Sequence, residues 1–344
     1  MSTIQPFFFT CAPAAGTLRY YIEGIGSLTR NNPVAAVKFV KSKILALLGR
    51  QGLMSLFLCP SHECNANCIH CYEQFLHDKL RKSLSTGQIK GVIDEFCSLG
   101  GCFLNFCSGE FLLRPDALEL IRYAGSKNLA ASITTNGLLL DEEMMNKLKA
   151  AGLWRLMVSI DSASSRRHDE CRGVEGCFEK AVNGIRMAKK KGIYAAIWTY
   201  VSKGNFNELG GIEELAGQLN VGVFVFFTLL SGRLFNNFEE NLSLEEREAL
   251  RRRFNRSRHV VLEFPSETDM CRGGGHTHIC VTPSGDVTYC PPVPYSYGNI
   301  SSKTLRECLG AVKKDAARFS GCRGQCIVNF PEYRENCNAK FMYE

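Results

Sequence analysis

Between residues 53 and 229 the chain alternates short apolar runs with stretches of helical periodicity, and this limits its fold more than any other feature. The apolar runs are Leu53–Leu58, Cys102–Phe106, Ala130–Thr134, Trp154–Ile160, Tyr194–Val201 and Val221–Leu229. The helical stretches between them are Thr86–Ser98, Asp116–Lys127, Asp141–Ala151, Phe178–Lys191 and Asn207–Leu219. Strands alternating with helices at this spacing imply a parallel sheet wrapped by helices. Six such strands are too few to close an eight-stranded barrel. The expected fold class is α/β: a partial (β/α)6 TIM-like barrel that takes ligands at the carboxyl ends of its strands.

The 344 residues are 45% apolar and 22% charged, the balance of a soluble globular protein with one large domain and a smaller one. No apolar run reaches the ~18 residues of a membrane-spanning helix. The N-terminus has no basic stretch leading into an apolar core and a cleavage site, so a cytoplasmic location is expected. Seventeen cysteines without an export signal favour metal–sulfur chemistry over disulfides. Cys97, Cys102, Cys177 and Cys308 stand alone in apolar or helical context and read as small buried hydrophobes. Part of the net charge of +7 comes from Arg251, Arg252, Arg253, Arg256 and Arg258, which follow Glu245, Glu246 and Glu248. That pattern reads as a solvated helix face. No nucleic-acid-binding module is visible, and no nucleic acid partner is expected.

Four regions are expected. Residues 1–50 form a leader with an amphipathic helix over Pro33–Gly49, apolar at Val37, Phe39, Val40, Ile44 and Leu47 and basic at Lys38, Lys41 and Lys43. Packing against the core is the expectation; a helix lying on a membrane surface is the alternative, and would suit a lipid substrate. Residues 51–230 form the barrel and 231–270 a charged helical connector. Residues 271–344, rich in cysteine and glycine, form a small α+β domain.

The first strand runs into Cys64, Cys68 and Cys71, spaced C-x3-C-x2-C. Three thiolates on one tight loop can hold three irons of a cubane [4Fe–4S] cluster and leave the fourth open to a small chelating molecule. A zinc loop would want four ligands, usually as paired C-x2-C motifs. With Tyr72 directly after the third cysteine, the segment resembles the radical S-adenosylmethionine (SAM) superfamily. The resemblance covers about residues 53–230.

It implies further site residues. Ser108-Gly109-Glu110 stands where the family carries Gly-Gly-Glu, with Ser108 as the departure. Gly109 lets backbone approach the methionine moiety of SAM, and Glu110 can accept from its ammonium group. Thr135 and Asn136 belong to the family's Thr-Asn-Gly strand end. Ser159 and Asp161 sit where relatives bind the SAM ribose or carboxylate, and alternation puts both on one side of a strand. His168 to Gly173 resembles a His-Asp…Arg-Gly stretch, in which Arg172 would partner the methionine carboxylate; a surface salt bridge is the alternative. The implied chemistry is reductive cleavage of SAM to a 5′-deoxyadenosyl radical, which abstracts a hydrogen atom from an unactivated carbon. A flavodoxin- or ferredoxin-type donor would supply the electron.

Residues 271–337 resemble the SPASM or shorter twitch extension of that superfamily: a cysteine, a hairpin turning at Pro283-Ser284-Gly285-Asp286, Cys290, then Gly298-Asn299-Ile300. The resemblance implies one auxiliary [4Fe–4S] cluster. Cys271 and Cys290 are the firmest ligands, with two more from Cys322, Cys326 and Cys337. Cys280 lies within a strand and reads as core. Structural zinc is the alternative, kept open by His276 and His278.

The function expected is therefore a radical SAM enzyme acting on a small molecule in a biosynthetic route. A peptide- or protein-modifying maturase is the alternative within the class. Only about fifty residues precede the first strand, too few for a peptide-recognition domain with its own core. A non-catalytic Fe–S or zinc protein is the alternative of another class. Cys107 and Cys171 lie near the expected barrel mouth and read as buried thiols rather than hydrogen donors.

Overall fold

The computed structural model describes residues 15–47, 52–71, 83–226, 238–262, 277–291, 293, 295–318, 335–337 and 339–342. Two helices, α1 (Ala15–Asn31) and α2 (Pro33–Leu47), precede the sheet. Six strands then alternate with helices: β1 (Ser55–Leu58), α3 (Thr86–Ser98), β2 (Phe103–Phe106), α4 (Ala117–Ser126), β3 (Ala130–Thr135), α5 (Glu142–Ala150) and β4 (Arg155–Ser159). The run continues through α6 (Ser165–Arg172), α7 (Cys177–Lys190), β5 (Tyr194–Tyr200), α8 (Leu209–Leu219) and β6 (Gly222–Phe226). Strands β1 to β6 pair in sequence order and all in parallel. The strand order is open at both edges, as expected for a partial (β/α)6 barrel.

Alternation along each strand divides two faces. Leu56, Leu58, Leu104, Phe106, Ile133, Leu156, Val158, Ile197, Val223 and Val225 pack outward into the main core under the helices. The intervening residues turn inward: Phe57, Asn105, Ser132, Met157, Ala196 and Phe224. Local signals start the helices. Ser85 and Gln88 close a capping box on α3, and Ser243 and Glu246 do the same on α9 (Leu244–Phe254).

Three features depart from the sequence reading. Helix α1 has no counterpart among the expected elements. The charged connector contains not only α9 but also β7 (Val260–Leu262), which pairs parallel to β6. At the other edge, β8 (His278–Val281) pairs parallel to β1, so the residues after 277 extend the barrel's own backbone ladder. Beyond it β9 (Asp286–Thr288), β10 (Tyr295–Asn299) and β11 (Lys340–Phe341) add antiparallel strands, with α10 (Leu305–Arg318) packed against them.

The N-terminal ends of the strands are closed by α1 and α2. Leu28, Ala35, Ala36 and Phe39 pack on Met54, Cys102, Phe103, Ala130 and Trp154, each at or just before the start of a strand. The rings stack across this floor, Phe39 edge-on to Phe103 at 5.6 Å and Trp154 over Tyr194 at 6.1 Å. Of the apolar residues expected to face the core from α2, Phe39 does so; Val37, Val40 and Ile44 point outward. Leu47 and Lys43 lie outside the described side chains.

Candidate active site

The cysteine loop leaves the carboxyl end of β1 and hangs on the last turn of α6. Asn67 N–H donates to the Arg172 carbonyl at 2.9 Å, and Ile69 N–H to the Cys171 carbonyl at 3.0 Å. Gly173 ends α6 with φ +66°, and a Cβ there would stand 2.8 Å from the Asn67 carbonyl oxygen. Glycine is therefore required for loop and helix to meet. From the end of β3, the Asn136 amide donates to Asn65 Oδ1 at 2.7 Å and reaches Cys64 Sγ at 3.9 Å. Cys68 is buried, Cys71 half-buried and Cys64 exposed on its residue surface. Partial burial of its sulfur pushes the Cys64 thiol up, against the Ala66 N–H that donates to it at 3.4 Å.

The loop after β2 is built just as tightly. Ser108 and Gly109 both adopt left-handed backbone, at φ +72° and +55°. A Cβ on Gly109 would lie 2.5 Å from the Glu63 carbonyl oxygen. The Glu110 N–H donates to that same carbonyl at 2.7 Å, tying this loop to the cysteine loop. The Glu110 side chain is fully buried and accepts from Thr135 Oγ1 (2.9 Å), Asn136 N–H (2.9 Å) and Leu112 N–H (3.2 Å). Burial raises its pKa, and those three donors oppose the rise. Glu110 and Thr135 thus join two strand ends, a positioning role that is not evident from the sequence. The Ser108 hydroxyl is sealed from solvent and has no partner.

A third cluster braces the loop from β4. Asp161, buried just past Ser159, takes Arg172 Nη2 at 2.6 Å. Arg172 Nη1 lies 3.5 Å from Cys68 Sγ. Burial works against the charge on Asp161, but the guanidinium outweighs it and holds the carboxyl below its usual range. The salt bridge is therefore buried rather than at the surface, and it ties the guanidinium to the cysteine loop. His70 stacks on Tyr200 at 4.6 Å, with Nε2 3.7 Å from Asp161. Burial pushes His70 and His168 down to about 4, so both are neutral near neutral pH. The donor atoms of His70, Asp161 and Cys171 lie within 4.8 Å of one another. Arg172 already neutralises Asp161, so the group is a polar brace rather than a cation site. Its clue in the sequence is local: His70 lies inside the cysteine motif, and Ser164 and Gly173 bracket α6 as helix start and stop.

Inside the mouth, Cys59 Sγ lies 3.7 Å from Cys107 Sγ and 3.6 Å from Cys280 Sγ, all three buried. Trp198, Tyr200 and Phe226 make an aromatic wall at the ends of β5 and β6. Ser159 is also buried here. Of the expected auxiliary ligands, Cys290 and Cys337 are half-buried and packed on the main core. His278 is a core residue, edge-on to Phe57 at 5.3 Å. Tyr72, Cys271, His276, Cys322 and Cys326 lie outside the described residues. The donor set fits a [4Fe–4S] cluster with SAM: three thiols on a loop fixed by two glycine contacts, a guanidinium beside one sulfur, and an unpartnered hydroxyl on the neighbouring loop.

Residues 58–215 match the Radical SAM superfamily profile, and this part of the chain is a radical SAM domain. Over 171 residues the chain is 41% identical to the AdoMet-dependent heme synthase of Methanosarcina barkeri, covering 49% of each protein. It is 27% identical to the PqqA peptide cyclase of Gluconobacter oxydans over 74% of this chain and 75% of that one. The chain spans about half the length of the first of these relatives. Among solved structures, Streptococcus suis SuiB bound to precursor peptide SuiA shares the fold, with TM-score 0.65 and 15% identity over 94% of this chain and 87% of that one. The domain's family is built around a [4Fe–4S] cluster and SAM.

Proposed function

We propose that this chain is a radical SAM enzyme that abstracts a hydrogen atom from a small-molecule or natural-product substrate in a biosynthetic route. Cys64, Cys68 and Cys71 would hold the cluster, and Ser108, Gly109, Asn136 and Ser159 would line the SAM site. When bound, the cluster and SAM would supply a 5′-deoxyadenosyl radical, the cofactor's own chemistry. The chain's residues position it. Arg172 sets a positive charge beside Cys68, Asp161 holds Arg172 with His70 beside that carboxylate, and Glu110 keeps the loops after β2 and β3 in register. The buried thiols Cys59, Cys107 and Cys280 and the aromatic side chains Trp198, Tyr200 and Phe226 make this end of the barrel largely apolar, an environment that would protect a radical from water.

The observation that carries this reading is the cysteine loop fixed to α6 and to the loop after β2. Its test is anaerobic reconstitution, an iron and sulfide count, and assay of 5′-deoxyadenosine after dithionite and SAM. The Cys64/Cys68/Cys71→Ala variant should lose about four irons and all 5′-deoxyadenosine. A fully loaded parent that never cleaves SAM, with any of a panel of candidate substrates, would count against the reading.

An auxiliary [4Fe–4S] cluster held by Cys290, Cys271 and two of Cys322, Cys326 and Cys337 belongs to the same proposal, as do a small C-terminal domain and a flavodoxin- or ferredoxin-type electron donor. About eight irons in the parent would support the second cluster. A peptide-modifying role is the second reading. It is favoured by similarity to PqqA peptide cyclase over 74% of this chain and by the fold shared with SuiB over 94% of it. Among the described residues no helix is long and apolar enough to cross a membrane; a cytoplasmic location is proposed.

A further inference from the structure

Helix α2 is apolar on two opposite sides. One side, Ala35, Ala36 and Phe39, is buried on the barrel floor. The other carries Val34, Val37, Val40 and Ile44, which are 45%, 67%, 50% and 54% exposed. Spacings of three, three and four residues put these four on one stripe. A helix apolar all round is normally covered all round. The outward stripe is also where exposure concentrates: with Ile22 of α1, these residues are five of the eight most exposed large apolar side chains among the described residues.

The charge beside the stripe selects its occupant. Helix α2 has no acidic residue, and Glu23 is the single acid of α1. Lys41 is exposed between Val40 and Ile44, and Arg30 is exposed in the last turn of α1. A two-fold contact with a second copy would set this basic face against itself, with one acid per copy to meet it. Lipid phosphates meet it without that conflict. Branched aliphatics flanked by lysine, whose long stem lets the ammonium reach the headgroups, are the composition of a helix lying in a bilayer interface.

We propose that the outer face of α1–α2 seats the protein on an anionic lipid surface. The catalytic mouth lies at the opposite ends of the strands, so the seated protein keeps its mouth toward water.

The test is co-sedimentation of the full chain with phosphatidylcholine vesicles, with and without phosphatidylglycerol. Binding should be at least about tenfold tighter with the anionic lipid and should weaken with salt. Val37→Gln with Ile44→Gln should abolish it at unchanged melting temperature, because both side chains are exposed. Lys41→Glu should remove the preference for phosphatidylglycerol. Three results would overturn the proposal: no binding by the parent, equal binding by the double variant, or a concentration-dependent dimer that the double variant abolishes.

Discussion

The mouth and the floor of this barrel are built from opposite materials on the same strands. At the mouth, each strand end delivers a polar group that is useful only in one position: Glu110 after β2, Thr135 on β3, Asp161 after β4. At the floor, the strand starts meet α1 and α2 mainly through apolar side chains, Phe39, Phe103 and Trp154 among them, with Asn32 Nδ2 donating to the Leu129 carbonyl at 3.1 Å as a polar tie. Polar groups out of water must be paired almost completely, whereas apolar side chains tolerate repacking. The mouth should therefore fail by losing a partner, and the floor by losing volume.

The largest difference should come from Asp161→Asn, which leaves the Arg172 guanidinium buried without its counter-charge. A loss of about 3–5 kcal/mol is expected in urea unfolding of the metal-free chain. A cost below about 1 kcal/mol would mean that water reaches the pair, and the contrast would collapse. Arg172→Met added to Asp161→Asn should restore part of the loss, since the orphaned charge is gone.

At the floor, Phe39→Ala should cost about 3–4 kcal/mol, the cavity and transfer cost of a buried ring. Phe39→Leu should recover most of it, and no comparable conservative rescue should exist for Asp161. If Phe39→Leu is as damaging as Phe39→Ala, the floor is as geometrically exacting as the mouth.

Acid should loosen the molecule in a defined window. Burial lowers His278, on β8, to about 4, from the ordinary histidine value of 6.5. Between those values the unfolded chain binds a proton that the folded one refuses, so stability falls as pH drops from 6.5 toward 4. His70 and His168 act in the same sense. Melting temperature measured through this window should fall less steeply in His278→Gln. An unchanged slope would assign the acid response to the mouth alone.

The smallest effect should be a gain. Ser108 holds left-handed backbone that favours glycine, so Ser108→Gly should stabilise the metal-free chain by about 1 kcal/mol. Calorimetry that found a loss would show that the hydroxyl acquires a partner worth more than the strain.

Much of this architecture is legible in the amino-acid sequence. All six barrel strands lie within a few residues of the apolar runs, because a buried parallel strand needs continuous apolar sequence and its boundaries are marked by polar turns. The cysteine loop and Ser108-Gly109-Glu110 are legible for a related reason: their spacing is a local property. The short strand β7 is not, since three apolar residues carry no period of their own.

What the sequence determined by itself is thus the alternation, the direction of the strands and the donor set on the cysteine loop, all written in residues near one another. Tertiary structure alone decided three things. It brought Cys280 to Cys59 across 221 residues, by pairing β8 with β1. It chose the buried side of α2, which periodicity could not do for a helix apolar on both sides. It also turned Arg172 inward onto Asp161, because α6 folds back over the cysteine loop. Each depends on which surfaces meet, and contact between distant segments is set by packing the whole chain, not by any local pattern.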